Sequence, residues 1–157
     1  MQTFLPYADF AKSAKVLDKK RCWKQVVEAY QIINILETAN TTVQKENESC
    51  IITVRKVPGW YHHPAVQMWK SYVPVLKVYY NEFLKVCKEI HKINTKLEYF
   101  PKRDGGTPFY PFWYGNEDFH RAMRSRLIEK DRDFYLPLFH NDEGFNDGKY
   151  FWPNTNF

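Results

Sequence analysis

The apolar positions of the chain gather into three stretches with a helical period. In the first, residues 17–36 ("LDKKRCWKQVVEAYQIINIL"), Cys22, Val26, Ala29 and Ile33, with Trp23, Val27 and Tyr30, leave little of the circumference suited to water. A helix that is apolar nearly all round is normally a buried one. One stripe breaks this pattern. At roughly 100° per residue, Asp18, Arg21, Gln25 and Glu28 fall within an arc of about 80°, which continues as Ile32, Ile35 and Leu36. Polar groups on a buried helix need partners or a task. The stripe is therefore either an internal network, with Asp18 capping the helix and Arg21 paired to Asp18 or Glu28, or the floor of a pocket.

The second stretch, residues 62–97, opens at Pro64, where the missing N–H of a first-turn proline does no harm. Pro74 is expected to kink or split it. Beyond that proline Val75, Val78, Tyr79, Phe83, Val86, Cys87 and Ile90 recur at helical spacing and read as a core face. The third helix starts at Asn116, a good cap with Glu117 and Asp118 in the first turn, and runs through "FHRAMRSRLIEK". A short helix after an Asp9 cap precedes the long one. Between Thr41 and Trp60 the chain reads as loop, with "CIITVRKV" β-branched enough for a strand or hairpin arm. Residues 99–115, dense in proline, glycine and aromatic residues, read as irregular backbone, and the tail from residue 142 as loop that docks a few rings. The pattern predicts an all-α fold: a compact single domain, residues 1–157, of about three main helices joined by long aromatic-rich loops.

Composition narrows the chemistry. With 157 residues the chain is long enough for one real core and short for two. No apolar run is long enough to span a bilayer, and "MQTFLPYADF" has neither the basic flank nor the apolar core of a signal peptide, so an intracellular, cytoplasmic protein is expected. Three cysteines, Cys22, Cys50 and Cys87, lack CxxC spacing, which argues against a disulfide framework or structural zinc. Cys87 and His91 lie one turn apart, but two ligands do not make a metal site. A net charge of +5 and 18% aromatic residues favour a polyanionic partner. Lys102 and Arg103 stand in the aromatic segment, and His120, Arg121 and Arg124 follow on the third helix. Cations hold phosphates while rings stack on exposed bases, so these groups are candidate nucleic-acid contacts.

Three ordered pieces, "MQTFLPYADF…LDKKRCWKQVVEA", "GWYHHPAVQMW" and "WYGNEDFHRAMRSRLIEK…DFY", together resemble the pyrimidine dimer DNA glycosylase family, also called the endonuclease V family of phages. The likeness is greatest to its cellular and environmental branch. It implies a compact helical domain that excises a damaged base from duplex DNA; a monomer that needs no cofactor or metal is expected beside it. Phage-type members then cut the strand by β-elimination through a Schiff base on the N-terminal amine. Two positions depart from the phage pattern. Gln2 stands where that pattern exposes a threonine amine after methionine removal, so the amine belongs to Met1 or the lyase step is missing. Cys22, not glutamate, follows Arg21. Helix geometry offers Glu28 and Asp18 in its place, as carboxylates that stabilise oxocarbenium charge at C1′ and move protons. Lys24 is a second candidate amine. Arg21 and Gln25 are assigned to the sugar-phosphate or base edge, and His63, His120, Arg121 and Arg124, with Lys102 and Arg103, to the DNA-facing wall. Two other functions compete: removal of an enlarged, for example glycosylated, pyrimidine from viral DNA as a host defence, and DNA binding without catalysis.

Overall fold

The computed structural model describes residues 1–39, 42–47, 50–55, 57–106 and 108–153; the end of the tail and the residues flanking the hairpin described below lie outside this set. Six helices form the body: α1 (Phe10–Val16), α2 (Lys19–Ala39), α3 (Pro64–Gln67), α4 (Val73–Glu89), α5 (Glu117–Lys130) and α6 (Arg132–Phe139). Two short 3₁₀ turns follow, His140–Asp142 and Phe145–Gly148. An antiparallel pair, β1 (Thr42–Asn47) and β2 (Cys50–Arg55), is inserted after α2, with Thr42 opposite Arg55 and Asn47 opposite Cys50. The "CIITVR" stretch is thus one arm of a hairpin attached to a helical domain. No helix among the described residues is long and apolar enough to cross a membrane.

Each helix end has a local cause. Asp9 and Asn116 accept backbone N–H groups at the starts of α1 and α5, as their positions predict. The predicted second helix is divided: Pro64 opens α3 and Pro74 lies in the first turn of α4. Pro74 needs no internal hydrogen bond there, which is why it splits the helix rather than kinking it. The helical period was expected to persist to Leu97, but α4 stops at Glu89. Lys92 adopts a left-handed φ of 53°, and Ile93 N–H turns back to the Cys87 carbonyl at 3.0 Å. Helix α6, which has no counterpart in the sequence reading, starts at Asp131, whose side chain accepts from Phe134 N–H. Its Pro137 lies inside an eight-residue helix, where the hydrophobic period is too short to announce it.

The core forms where α2 packs along α4. Cys22, Val26, Ala29 and Ile33 meet Leu76, Tyr79, Phe83 and Cys87, and all eight are fully buried. The Cys22 and Cys87 sulfurs lie 3.4 Å apart as free thiols. Trp69, Trp113, Phe119 and Met123 extend the core towards α5.

Through this core runs the extended N-terminal segment, with Gln2, Thr3, Phe4 and Leu5 all buried. An extended chain without a neighbouring strand must find other partners for its backbone groups, and here side chains from three helices supply them. Gln2 N–H donates to Glu28 at 2.9 Å, and Phe4 N–H donates to Gln25 Oε1 at 2.6 Å. The Phe4, Leu5 and Pro6 carbonyls accept from Tyr79 (2.9 Å), His120 Nδ1 (2.7 Å) and Arg124 (2.7 Å). Trp69 Nε1 donates to the Thr3 hydroxyl at 3.0 Å. Much of the polar lettering on α2 and α5 thus serves to bind this one strand of backbone.

Candidate active site

The polar stripe on α2 divides into two halves with different tasks. Asp18 and Arg21 form the internal network. Asp18 caps α2 by accepting Arg21 N–H at 3.1 Å, pairs with the Arg21 guanidinium at 2.9 Å, and accepts the Tyr135 hydroxyl from α6. Burial works to raise the Asp18 carboxyl, but the hydrogen bonds from Tyr135 and Arg21 outweigh it and hold the group below its ordinary value. The remaining Arg21 N–H reach is taken by the Lys130 carbonyl at 2.9 Å. Gln25 and Glu28, one and two turns on, hold the N-terminal segment instead.

Glu28 is buried, yet its carboxylate borders a cavity of about 620 Å³, within the size range of small-ligand sites. One Glu28 oxygen is fixed by Gln2 N–H, and the other lies 3.7 Å from Lys24 Nζ. Met1 reaches the same cavity, and Lys20, Arg21, Lys24 and Lys130 surround it. Four cations around one carboxylate suit a sugar-phosphate chain presented to Glu28. Gln2 Oε1 is buried without a protein donor among the described residues.

His63 closes the cavity from α3. It caps that helix through Nδ1, which accepts Ala65 N–H at 3.1 Å, and so presents Nε2–H as a donor. Its pKa lies below the usual value, first because the ring is partly buried and then because the positively charged N-terminal amine is near; Glu28 pulls the other way. The amine, the carboxylate and the imidazole are thus electrostatic neighbours.

The other expected wall residues are placed elsewhere. Asp18 does not border the cavity. His120 and Arg124 are buried in the fold rather than facing DNA, which corrects their assignment to the wall: His120 Nδ1 binds Leu5, and its Nε2 accepts Gly115 N–H at 3.0 Å. Burial lowers the His120 pKa and outweighs the Leu5 hydrogen bond, so the ring fits its neutral, two-partner role. Arg124 pairs with Asp142 at 2.6 Å and with Glu117 at 2.5 Å. Arg121 shares Asp142 and lies over the Phe145 ring. Lys102 and Arg103 are exposed on the aromatic loop, beside a different hollow bordered by Val73, Lys77 and Asn81. The helix period showed that His120 and Arg124 share a face, but not that the N-terminal segment occupies it.

Sequence reasoning missed Lys20, Lys130, Tyr150 and Trp152, all at the cavity. The tail returns across the chain, with Tyr150 against Phe4 and Trp152 against His63. The only hint was the aromatic run "YFWP" in a stretch otherwise read as loop.

Among the described residues no cluster of three His, Cys, Asp or Glu side chains is grouped to hold a metal ion. Comparison with curated proteins and with solved structures finds no match. A family model described as pyrimidine dimer DNA glycosylase matches residues 1–98. That span holds the N-terminal segment, Glu28, Lys24 and His63, and covers more than half of the chain, which therefore belongs to the pyrimidine dimer DNA glycosylase family.

Proposed function

We propose that the chain is a DNA N-glycosylase that releases a base from duplex DNA at Glu28. One observation carries this reading: a buried carboxylate, locked by a backbone N–H, borders a cation-ringed cavity beside the first residue of the chain. Lys20, Lys24 and Lys130 hold the sugar-phosphate chain, and Arg21, tied to Asp18, supports the cavity edge. As the base leaves, positive charge builds at C1′ and the ring oxygen. A fixed carboxylate stabilises that charge without reorganising. Glu28 then takes a proton from the nucleophile that adds to C1′.

Two nucleophiles fit. If water adds, the product is an abasic site and the strand stays intact. If the Met1 amine adds, an imine forms at C1′ after the sugar ring opens, and loss of a C2′ proton expels the 3′ phosphate by β-elimination. Lys24 is the alternative amine, but it stands in an ion pair with Glu28 that its attack on C1′ would have to break. The N-terminal amine is the better choice, and Glu28 is placed to serve both routes.

The test uses two duplexes, one with a single cyclobutane pyrimidine dimer and one with an enlarged, glycosylated pyrimidine. Each is incubated with protein, with and without borohydride, and the products are read by gel and mass spectrometry. Base release from either duplex supports the reading, and a trapped adduct on the first residue assigns the amine. Tight binding with no base release from either duplex would leave a DNA-binding protein without chemistry.

A further inference from the structure

The outer face of α4 and the loop that carries Pro101 and Lys102 enclose a groove of about 650 Å³. None of its lining residues borders the cavity at Glu28. The helical period accounts for the separation. Around the axis of α2, Tyr30 and Glu37 lie about 160° and about 180° from Glu28. Tyr30 stacks on Phe100, with 6.4 Å between ring centroids, and Glu37 pairs with Lys77 of α4 at 2.5 Å. The groove therefore hangs on the side of α2 that faces away from Glu28, and a duplex seated on Glu28 leaves it uncovered.

Its chemistry also differs from that of the cavity. Val73, Lys77 and Asn81 form one row along α4 and Pro74, Val78 and Glu82 the next, so the groove runs for about 13 Å, the length of about four extended residues. Pro101 and Pro108 form the other side. Proline has no N–H to offer and a fixed φ. The Asn81 amide is taken at both ends: Nδ2 donates to the Phe100 carbonyl at 2.9 Å, and Oδ1 accepts Phe100 N–H at 2.8 Å. The groove thus presents an occupant with a stiff and mainly apolar floor. Charge lies at its edge. Lys102 and Arg103 are exposed and have no ion-pair partner among the described residues, whereas Lys77 is already held by Glu37. Glu82 is the one carboxylate in the lining.

An occupant must combine apolar groups for the floor with negative charge for the edge. An acidic peptide does so. Alternate side chains of an extended segment point to opposite sides, so apolar ones enter the groove while the carboxylates between them reach Lys102 and Arg103. Single-stranded nucleic acid fits less well: bases are held by stacking on rings, the groove lining holds none, and Glu82 repels phosphate. We propose that the groove between α4 and the Pro101 loop docks an acidic segment of a partner protein, anchored by its apolar side chains, while the cavity at Glu28 stays open to DNA. The inference does not rest on the chemistry at Glu28.

The test is fluorescence polarisation of the full chain with a set of short fluorescein-labelled peptides in which aspartates alternate with leucine, valine or phenylalanine at varied spacing. Controls carry serine at the apolar positions or lysine at the acidic ones. The protein is used as wild type, as the double variant Lys102→Glu/Arg103→Glu, and as Val78→Asp, which places a charge on the floor; melting curves check each fold, and the exposed double variant decides if Val78→Asp does not fold. The tightest acidic peptide should lose affinity about tenfold or more on the charge reversal and by a similar factor when serine replaces its apolar residues, and its binding should weaken with salt. Saturating peptide should leave the affinity for a damaged duplex within about twofold. No binding by any acidic peptide of the set, equal binding of the serine or lysine forms, or an affinity indifferent to the charge reversal would each overturn the proposal. Displacement of the peptide by DNA, with a loss of duplex affinity in the charge-reversed protein, would overturn it by marking the groove as a nucleic-acid surface. A wild-type dimer in sedimentation that the charge reversal dissociates would do so by marking it as a contact between copies of this chain.

Discussion

Replacing Glu28 by glutamine separates the two tasks that this side chain performs. Structurally, its carboxylate accepts the buried Gln2 N–H at 2.9 Å. A glutamine oxygen can accept the same hydrogen bond, and the difference between a charged and a neutral acceptor is about 1 kcal/mol. That corresponds to a fall in Tm of about 2–4 °C for a chain of this size. Glu28→Ala instead leaves the Gln2 N–H buried without an acceptor, at a cost of about 1–3 kcal/mol plus the void left by the side chain. Chemically, both variants lose the negative charge facing C1′ and the proton acceptor. A positioned acid or base contributes about 10²–10⁴-fold, or about 2.7–5.4 kcal/mol of barrier. Glu28→Gln should therefore melt within a few degrees of wild type while its single-turnover excision rate falls at least about a hundredfold. Melting by circular dichroism and quenched-flow excision on one preparation make the comparison. Excision within about threefold of wild type, or a Tm loss equal to that of Glu28→Ala, would refute the assignment of chemistry to this carboxylate.

Three further outcomes follow from the same geometry. Gln25→Leu deprives Phe4 N–H of its acceptor, while Tyr79 keeps the Phe4 carbonyl; urea denaturation should show a loss of about 1–3 kcal/mol. Arg124→Met removes the guanidinium that pairs with Asp142 and Glu117, leaving Asp142 to Arg121 alone, and frees the Pro6 carbonyl, so stability should fall by about 3–5 kcal/mol, whereas the salt dependence of duplex binding by the folded protein should not change; a shallower slope would show that Arg124 touches phosphate. Asp18 and Asp142 both lie below the ordinary carboxylate value of 3.8, because hydrogen bonds from Tyr135 and Arg21, and from Arg124 and Arg121, outweigh burial. Their contribution is complete above that value and is lost as the pH falls through and below it, where the unfolded chain binds protons first. Asp18→Asn should accordingly flatten the acid limb of the stability curve.

The sequence by itself determined the local structure. Asp9 and Asn116 mark helix starts because a short polar side chain there accepts a free backbone N–H, and Pro64 and Pro74 mark first turns because proline lacks one. The buried faces of α2 and α4 follow from apolar spacing, although Tyr30 and Ile90, read as part of them, are exposed, and the order of three short motifs sufficed to indicate the family. What the polar residues do was settled only by tertiary structure. Asp18, Arg21, Gln25 and Glu28 share an arc, but periodicity gives direction and not company. The first pair meets Tyr135 and Lys130, more than a hundred residues away in the chain, and becomes a structural knot. The second pair meets residues 2 and 4 and becomes the edge of a cavity. His120 and Arg124 look like phosphate ligands from their types and spacing, yet the buried N-terminal segment, an extended strand with no sheet to join, claims them because its carbonyls must be satisfied. Tyr150 and Trp152 reach the cavity only because the tail folds back across it. A long helix announces itself in its own residues, whereas a site is assembled from segments whose meeting is decided by burial of the whole chain.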